Sequence, residues 1–158
     1  HGNSYPEGTP MMQLRMKNLV IVDDRVAVSG QPTRAQFEAL PGAGYRHVIS
    51  LRGARELETG WEEALAAESG VDFLRLEVDG AGDLDEAHAR ALGDALQESG
   101  EPTLICCRSG SRAGALLALE RHFAEGLPPA EALELGRRAG MASAEPVVCK
   151  VLGLPQGD

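Results

Sequence analysis

The chain has 158 residues and a formal charge of −9, a balance that disfavours nucleic acid and anionic membrane surfaces as partners. It also repels phosphorylated substrates at long range, so any anion site has to act locally. Three cysteines, Cys106, Cys107 and Cys149, two of them adjacent, make no disulfide framework, and no apolar run approaches the roughly 18 residues of a membrane span, so the chain is expected to be soluble.

Residues 1–16 are rich in turn formers and read as an extended arm, with a single α/β domain over 17–158 that is large enough to bury a core without staples. His1 is not a translation start, so the arm is either a mature end left by leader cleavage or a cloning remnant. Periplasm and cytoplasm are both compatible with this start. Leu19 to Val22 and Arg25 to Val28, split by Asp23-Asp24, form an expected hairpin. Thr33 and Gln36 make a capping box that opens a helix through Leu40, stopped by Pro41-Gly42. Tyr45 to Leu51 reads as a strand. Thr59 with Glu62 reads as a second box, opening a helix that ends at Gly70 and presents Glu62 and Glu63 as a solvated face. Val71 to Val78 is another strand, followed by the flexible loop Asp79-Gly80-Ala81-Gly82. Asp83 with Glu86 caps a helix to about Ser99, and a last helix runs from Pro128-Pro129 to about Ala139.

Between those two helices lies the most informative stretch. Thr103 to Cys107 is an uninterrupted apolar run, as in a strand buried on both faces of a parallel sheet. The polar turn Arg108-Ser109-Gly110-Ser111 follows, and from Arg112 the apolar positions recur nearly all round a helix, so that helix is expected to be buried. The alternation of strands with helices predicts a mostly parallel central sheet with helices on both faces, and ligands in such sheets sit at the carboxyl ends of the strands. Cys107 lies there. Backbone N–H groups of Arg108, Ser109, Gly110, Ser111 and Arg112 are without strand partners and can curl into an anion-binding nest at the helix N-terminus, which favours a cysteine thiolate. Arg112 would hold two oxygens of a tetrahedral anion. Inorganic phosphate or sulfate fits such a loop.

Cys107-Arg108-Ser109-Gly110-Ser111-Arg112 after an apolar strand resembles the signature loop of cysteine-dependent, dual-specificity-type phosphatases, and equally the active loop of rhodanese sulfurtransferases. Two further blocks narrow the choice. Val28-Ser29-Gly30-Gln31-Pro32-Thr33, then Val48-Ile49-Ser50-Leu51-Arg52, then the loop, are similar in order to the bacterial beta-lactamase hydrolase-like, or tyrosine-phosphatase-like, proteins over roughly residues 17 to 142. Most tyrosine phosphatases place five residues between nucleophile and arginine. That spacing is met here from Cys106, whereas four residues separate Cys107 from Arg112. The resembled family uses the shorter spacing, and Cys106 continues the strand, so Cys107 is taken as nucleophile and Cys106 as a possible supporting residue.

The resemblance implies hydrolysis of a phosphorylated protein or a small phosphoester through a cysteinyl-phosphate, with no cofactor. It also implies a general acid on a loop before the central strand. Asp79, 28 positions before Cys107, is the candidate, with Asp83 and Asp85 as rivals that also suit structural roles, Asp83 as a helix N-cap and Asp85 in a first helical turn. Gln31 and Arg52 are possible supports, Arg52 alternatively being paired with Glu56 or Glu58. Ala113 stands where most phosphatases have a hydroxyl that assists thiolate departure, which Ser109 or Ser111 would have to replace. His47, His88 and His122 have no ligand spacing, so no metal site is expected. Two alternatives stay open: a rhodanese-like sulfurtransferase with a persulfide on Cys107, although the Gly-His-Ile-Pro-Gly-Ala segment of rhodaneses is absent, and a non-catalytic module that binds a phosphorylated or anionic ligand.

Overall fold

The computed structural model describes residues 8–56 and 58–156. Five strands, β1 (Val20–Ile21), β2 (Val26–Ser29), β3 (His47–Ser50), β4 (Asp72–Arg75) and β5 (Thr103–Cys106), form one sheet in the order β1-β2-β5-β3-β4. Only β1 runs antiparallel, in the short hairpin with β2; β5 pairs in parallel with both β2 and β3. Seven helices flank it: α1 (Pro10–Gln13), α2 (Arg34–Ala39), α3 (Glu62–Ser69), α4 (Glu86–Glu98), α5 (Ser111–Phe123), α6 (Pro129–Arg138) and α7 (Glu145–Leu152). This is the expected mostly parallel α/β architecture. Among the described residues no helix is long and apolar enough to cross a membrane.

The two-residue period of a strand divides the core into two layers. Leu104 and Cys106 join Phe37, Leu40, Val48 and the α1–α3 face, whereas Ile105 and Cys107 join Val28, Ile49, Leu116 and the α4–α7 face. Helix α5 is buried over Ala113 to Arg121, as its all-round apolar pattern predicts. Gly114 permits this close packing: a Cβ there would stand 2.5 Å from the Ala139 carbonyl oxygen beyond the end of α6. The Thr33–Gln36 capping box forms, and the Gln36 amide also donates to the Leu14 carbonyl, tying α2 to the chain entry.

Several local expectations are corrected. Within the stretch read as an extended arm, Pro10–Gln13 is helical and Met11 and Met16 are 1% and 5% exposed, because the α2–α3 layer would otherwise lack a cover. Thr59 makes no capping box; its hydroxyl donates to the Glu56 carbonyl, and Trp61 occupies the N-cap of α3. Glu62 is not solvated but 1% exposed, where it accepts from Arg75 at 3.0 Å. Asp85, not Asp83, caps α4 by accepting from the His88 amide, while Asp83 accepts from the Asp79 amide. The strand expected over Val71 to Val78 is regular only over Asp72–Arg75. Helices α1 and α7 have no counterpart in the sequence reading.

Candidate active site

The site lies where β5 ends and α5 begins. Cys106 is the last residue of the strand and points into the α2–α3 layer. Burial there, with Cys107 adjacent, pushes its thiol up to about 12, although Ser50 offers it a hydrogen bond. A thiol so placed has neither access nor anionic character. Cys107 begins the loop: its amide still donates to the Ser29 carbonyl at 3.2 Å, and its side chain turns to the opposite face. The residue is 1% exposed, and its sulfur accepts a hydrogen bond from the Gly110 amide at 3.1 Å. Neither Ser109 nor Ser111 donates to it; their hydroxyls face each other at 3.4 Å.

The turn at Gly110 needs the left-handed conformation, φ +101°, which glycine adopts without penalty. The loop is braced from outside. The backbone N–H of Gln31 donates to the Arg108 carbonyl at 3.1 Å, and the Asn18 side chain donates to the Ser109 carbonyl at 2.6 Å. Asn18 has φ +52°, a conformation that asparagine tolerates better than most side chains. With those carbonyls turned outward, the amides of Arg108, Ser109 and Arg112 have no backbone acceptor among the described residues, and they are the donors an entering anion would meet.

Arg112 covers the sulfur, which is itself a partner of the guanidinium. Nη1 donates to Glu56 Oε2 at 2.8 Å and to the Val78 carbonyl at 2.7 Å, and Nη2 donates to Glu56 Oε1 at 3.0 Å. A guanidinium has five N–H donors. Glu56 and Val78 take three, and Nε–H and the second Nη2–H remain on a single edge for the sulfur, a geometry also suited to two oxygens of an oxyanion. Glu56 also accepts from Arg52 Nε at 3.1 Å and from the Gly53 amide at 2.8 Å. Arg52 in turn donates to Gln31 Oε1 at 2.8 Å, and its carbonyl accepts from Arg75. A chain of charged contacts thus runs from the edge strand to the loop, and Gln31 and Arg52 occupy it as supports rather than facing the sulfur.

Glu56 was weighed in the sequence only as a partner of Arg52. The signal available was its place in a polar loop after a strand that ends at the same sheet edge as Cys107. Its carboxyl is held down to about 2 from an ordinary 4.5, first by the Arg112 hydrogen bonds and also by Gly53 and Arg52, against the opposing cost of burial. A carboxylate whose folded pKa is lowered contributes stability that is complete above about pH 4.5 and is lost as pH falls towards about 2. The side chain is 26% exposed, so screening limits the contribution to about 1–2 kcal/mol. Melting curves between about pH 6 and about pH 3 should show wild type losing more stability than Glu56→Gln; parallel losses would contradict this pairing.

Asp79 is exposed and directly follows Val78, whose carbonyl anchors Arg112. Its carboxylate lies against Gly53, where a Cβ would stand 2.8 Å from Asp79 Oδ1 and 3.8 Å from Glu56 Oε2. The structure therefore brings Asp79 to the rim formed by Glu56 and Arg112. Asp83 holds the Asp79 amide, and Asp85 is engaged with His88, so both rivals have structural duties. A cavity of about 600 Å³ lies at the other end of the strands, lined by Arg25, Glu101, Glu120 and Glu125, and shares none of these residues. A second, of about 400 Å³, opens beside Arg108 and Gln31.

Over 131 residues the chain is 32% identical to a beta-lactamase hydrolase-like protein of Xylella fastidiosa, which takes in 75% of this chain and 30% of that protein. A beta-lactamase hydrolase-like protein of Agrobacterium fabrum is 30% identical over 105 residues, 63% of this chain and 24% of its own length. The expected similarity to the beta-lactamase hydrolase-like proteins is thus found over part of their length. The chain spans less than a third of the length of these curated relatives. No protein-family model matches it. Among solved structures, the fold matches a candidate phosphatase of Neisseria meningitidis with a TM-score of 0.70 at 23% identity, over 85% of this chain and 98% of that one. It also matches the core catalytic domain of a PP-IP phosphatase of S. cerevisiae, in complex with citrate, at 0.64 and 17% over 86% of each chain. Pseudomonas aeruginosa TpbA in complex with phosphotyrosine matches at 0.61 and 18%, over 85% of this chain and 82% of that one. These likenesses show that the chain has a phosphatase-type fold.

Proposed function

We propose that the domain is a cysteine-dependent phosphatase acting on phosphomonoesters. The observation that carries this reading is that loop amides without a backbone acceptor follow Cys107 and that Glu56 and Val78 leave one edge of Arg112, which is a partner of the sulfur. Phosphate would enter with its oxygens on those donors and its phosphorus above the sulfur. The thiolate attacks in line, forming an S–P bond as the P–O bond to the leaving group breaks, and Asp79 gives its proton to the departing oxygen. Water then attacks the cysteinyl-phosphate, Asp79 takes back a proton, and inorganic phosphate and the thiolate are released. Departure of the sulfur is assisted by the Gly110 amide, which already donates to it where other phosphatases use a hydroxyl. That neighbours of this fold were solved with phosphotyrosine and with citrate supports an anionic ligand.

Hydrolysis of an aryl phosphate against pH tests the assignment. Asp79→Asn should lower kcat about a hundred-fold for a poor leaving group and remove the basic limb of the profile. An unchanged profile would exclude Asp79 as the acid.

The six-residue loop, with Cys107 1% exposed and its sulfur a partner of Arg112, also supports a second reading, in which Cys107 carries a persulfide. Transfer of sulfur requires no acid at Asp79. Thiosulfate treatment followed by intact mass separates the readings: a one-sulfur adduct on Cys107 that is passed to cyanide favours the sulfurtransferase.

A further inference from the structure

The cavity of about 400 Å³ beside the loop has a composition at odds with the rest of the molecule. In a chain of charge −9, its wall brings together Lys17, Arg34, Arg52 and Arg108, with Glu58 as its single acidic residue. Arg52 is committed to Glu56 and Gln31. Lys17, Arg34 and Arg108 are exposed, and among the described residues none of them has a carboxylate within salt-bridge distance. Three unpaired cations facing one concavity repel each other, a cost that a bound anion removes.

Each of the three is held in place. Lys17 is anchored through its carbonyl, which accepts from the Gly30 amide at 2.7 Å, and its aliphatic stem packs over Gly30. Arg34 rests on the face of Trp61, 4.9 Å from the ring centroid, an arrangement that pre-orders a guanidinium. Arg108 belongs both to this wall and to the loop that begins at Cys107. The cavity therefore borders the loop of the proposed phosphate site, and neither Glu56 nor Asp79 lines it.

We infer that this cavity is a specificity subsite for a second anionic group, so that the preferred substrate is a small molecule carrying another phosphate or a carboxylate besides the group held over Cys107. The inference rests on the phosphatase reading for which group reacts, but its binding component stands without turnover. Lys17 and Arg34 supply the charge, Trp61 and Pro32 the apolar floor, and Arg108 links the two anion positions.

Trp61 is the only tryptophan of the chain, so its fluorescence reports occupancy directly. In the Cys107→Ser protein, fructose 1,6-bisphosphate should bind at least about ten-fold tighter than fructose 6-phosphate, with 3-phosphoglycerate distinguishing a carboxylate from a phosphate as the second group. In Lys17→Ala/Arg34→Ala the preference should fall to about two-fold or less, while Arg34→Lys alone retains most of it. Both arginine and lysine are exposed, so folding is not at stake. Equal affinity for singly and doubly charged probes in the parent, or a preference untouched by the double substitution, overturns the subsite. If the preference holds but the active enzyme hydrolyses no phosphoester, the phosphatase reading fails and the subsite remains.

Discussion

Cys107→Ser is expected to lower kcat/KM for an aryl phosphate by at least about a thousand-fold, whereas Cys106→Ser leaves it within about two-fold. The difference follows from one residue of strand register. At the end of β5 the side chains still alternate, so the two adjacent cysteines enter opposite layers. Cys106 is enclosed by Phe37, Leu104 and Ser50 contacts, and burial keeps its thiol protonated, pushed up to about 12. Cys107 is equally buried, but what covers it is Arg112 and the Gly110 amide rather than hydrocarbon alone. Removing the nucleophile leaves only the positioning of the phosphate, since oxygen in serine is a far poorer nucleophile at neutral pH. Steady-state rates on purified proteins, with folding verified by melting, read the effect. Equal losses in both variants would undo the assignment of the loop to Cys107.

Arg112→Lys is expected to cost about a hundred-fold in kcat/KM and to lower stability as well. Arginine serves two partners from two edges: Nη1 and Nη2 engage Glu56 and the Val78 carbonyl, and the remaining edge is available over the sulfur. An ammonium offers a point charge and cannot present two parallel donors to each side. Lysine would either follow Glu56 and leave the anion, or face the anion and leave Glu56 held by Arg52 and Gly53 alone. Inorganic phosphate should weaken as an inhibitor in parallel with the rate. A variant that keeps wild-type inhibition by phosphate would mean that Arg112 is a structural partner of Glu56 and nothing more.

The parts of this site legible in the sequence are those fixed by neighbours along the chain. An apolar run, a polar turn with Gly110 and a buried helix lie within about twenty consecutive residues, and their order alone places Cys107 at a strand end facing a helix N-terminus. The Thr33–Gln36 box and the Arg52–Glu56 pair are likewise local. Glu56 as the partner of Arg112 was not legible, because 56 positions separate them and nothing in periodicity links a loop after β3 to a helix after β5. Glu62 misled for a related reason: an acidic pair in a helix first turn looks solvated until the neighbouring strand supplies Arg75. Asp83 and Asp85 are two positions apart, and which of them caps α4 depends on where the loop from Asp79 turns back, so the cap read at Asp83 falls two residues early.

Alkylation of the thiols followed by peptide mass analysis, with and without inorganic phosphate, addresses the anion cradle directly. Cys107 should be modified while Cys106 and Cys149, both buried among apolar side chains, are not, and millimolar phosphate should slow its modification in a saturable way. Modification of Cys107 at a rate indifferent to phosphate, or modification of Cys106 in its place, would contradict the account.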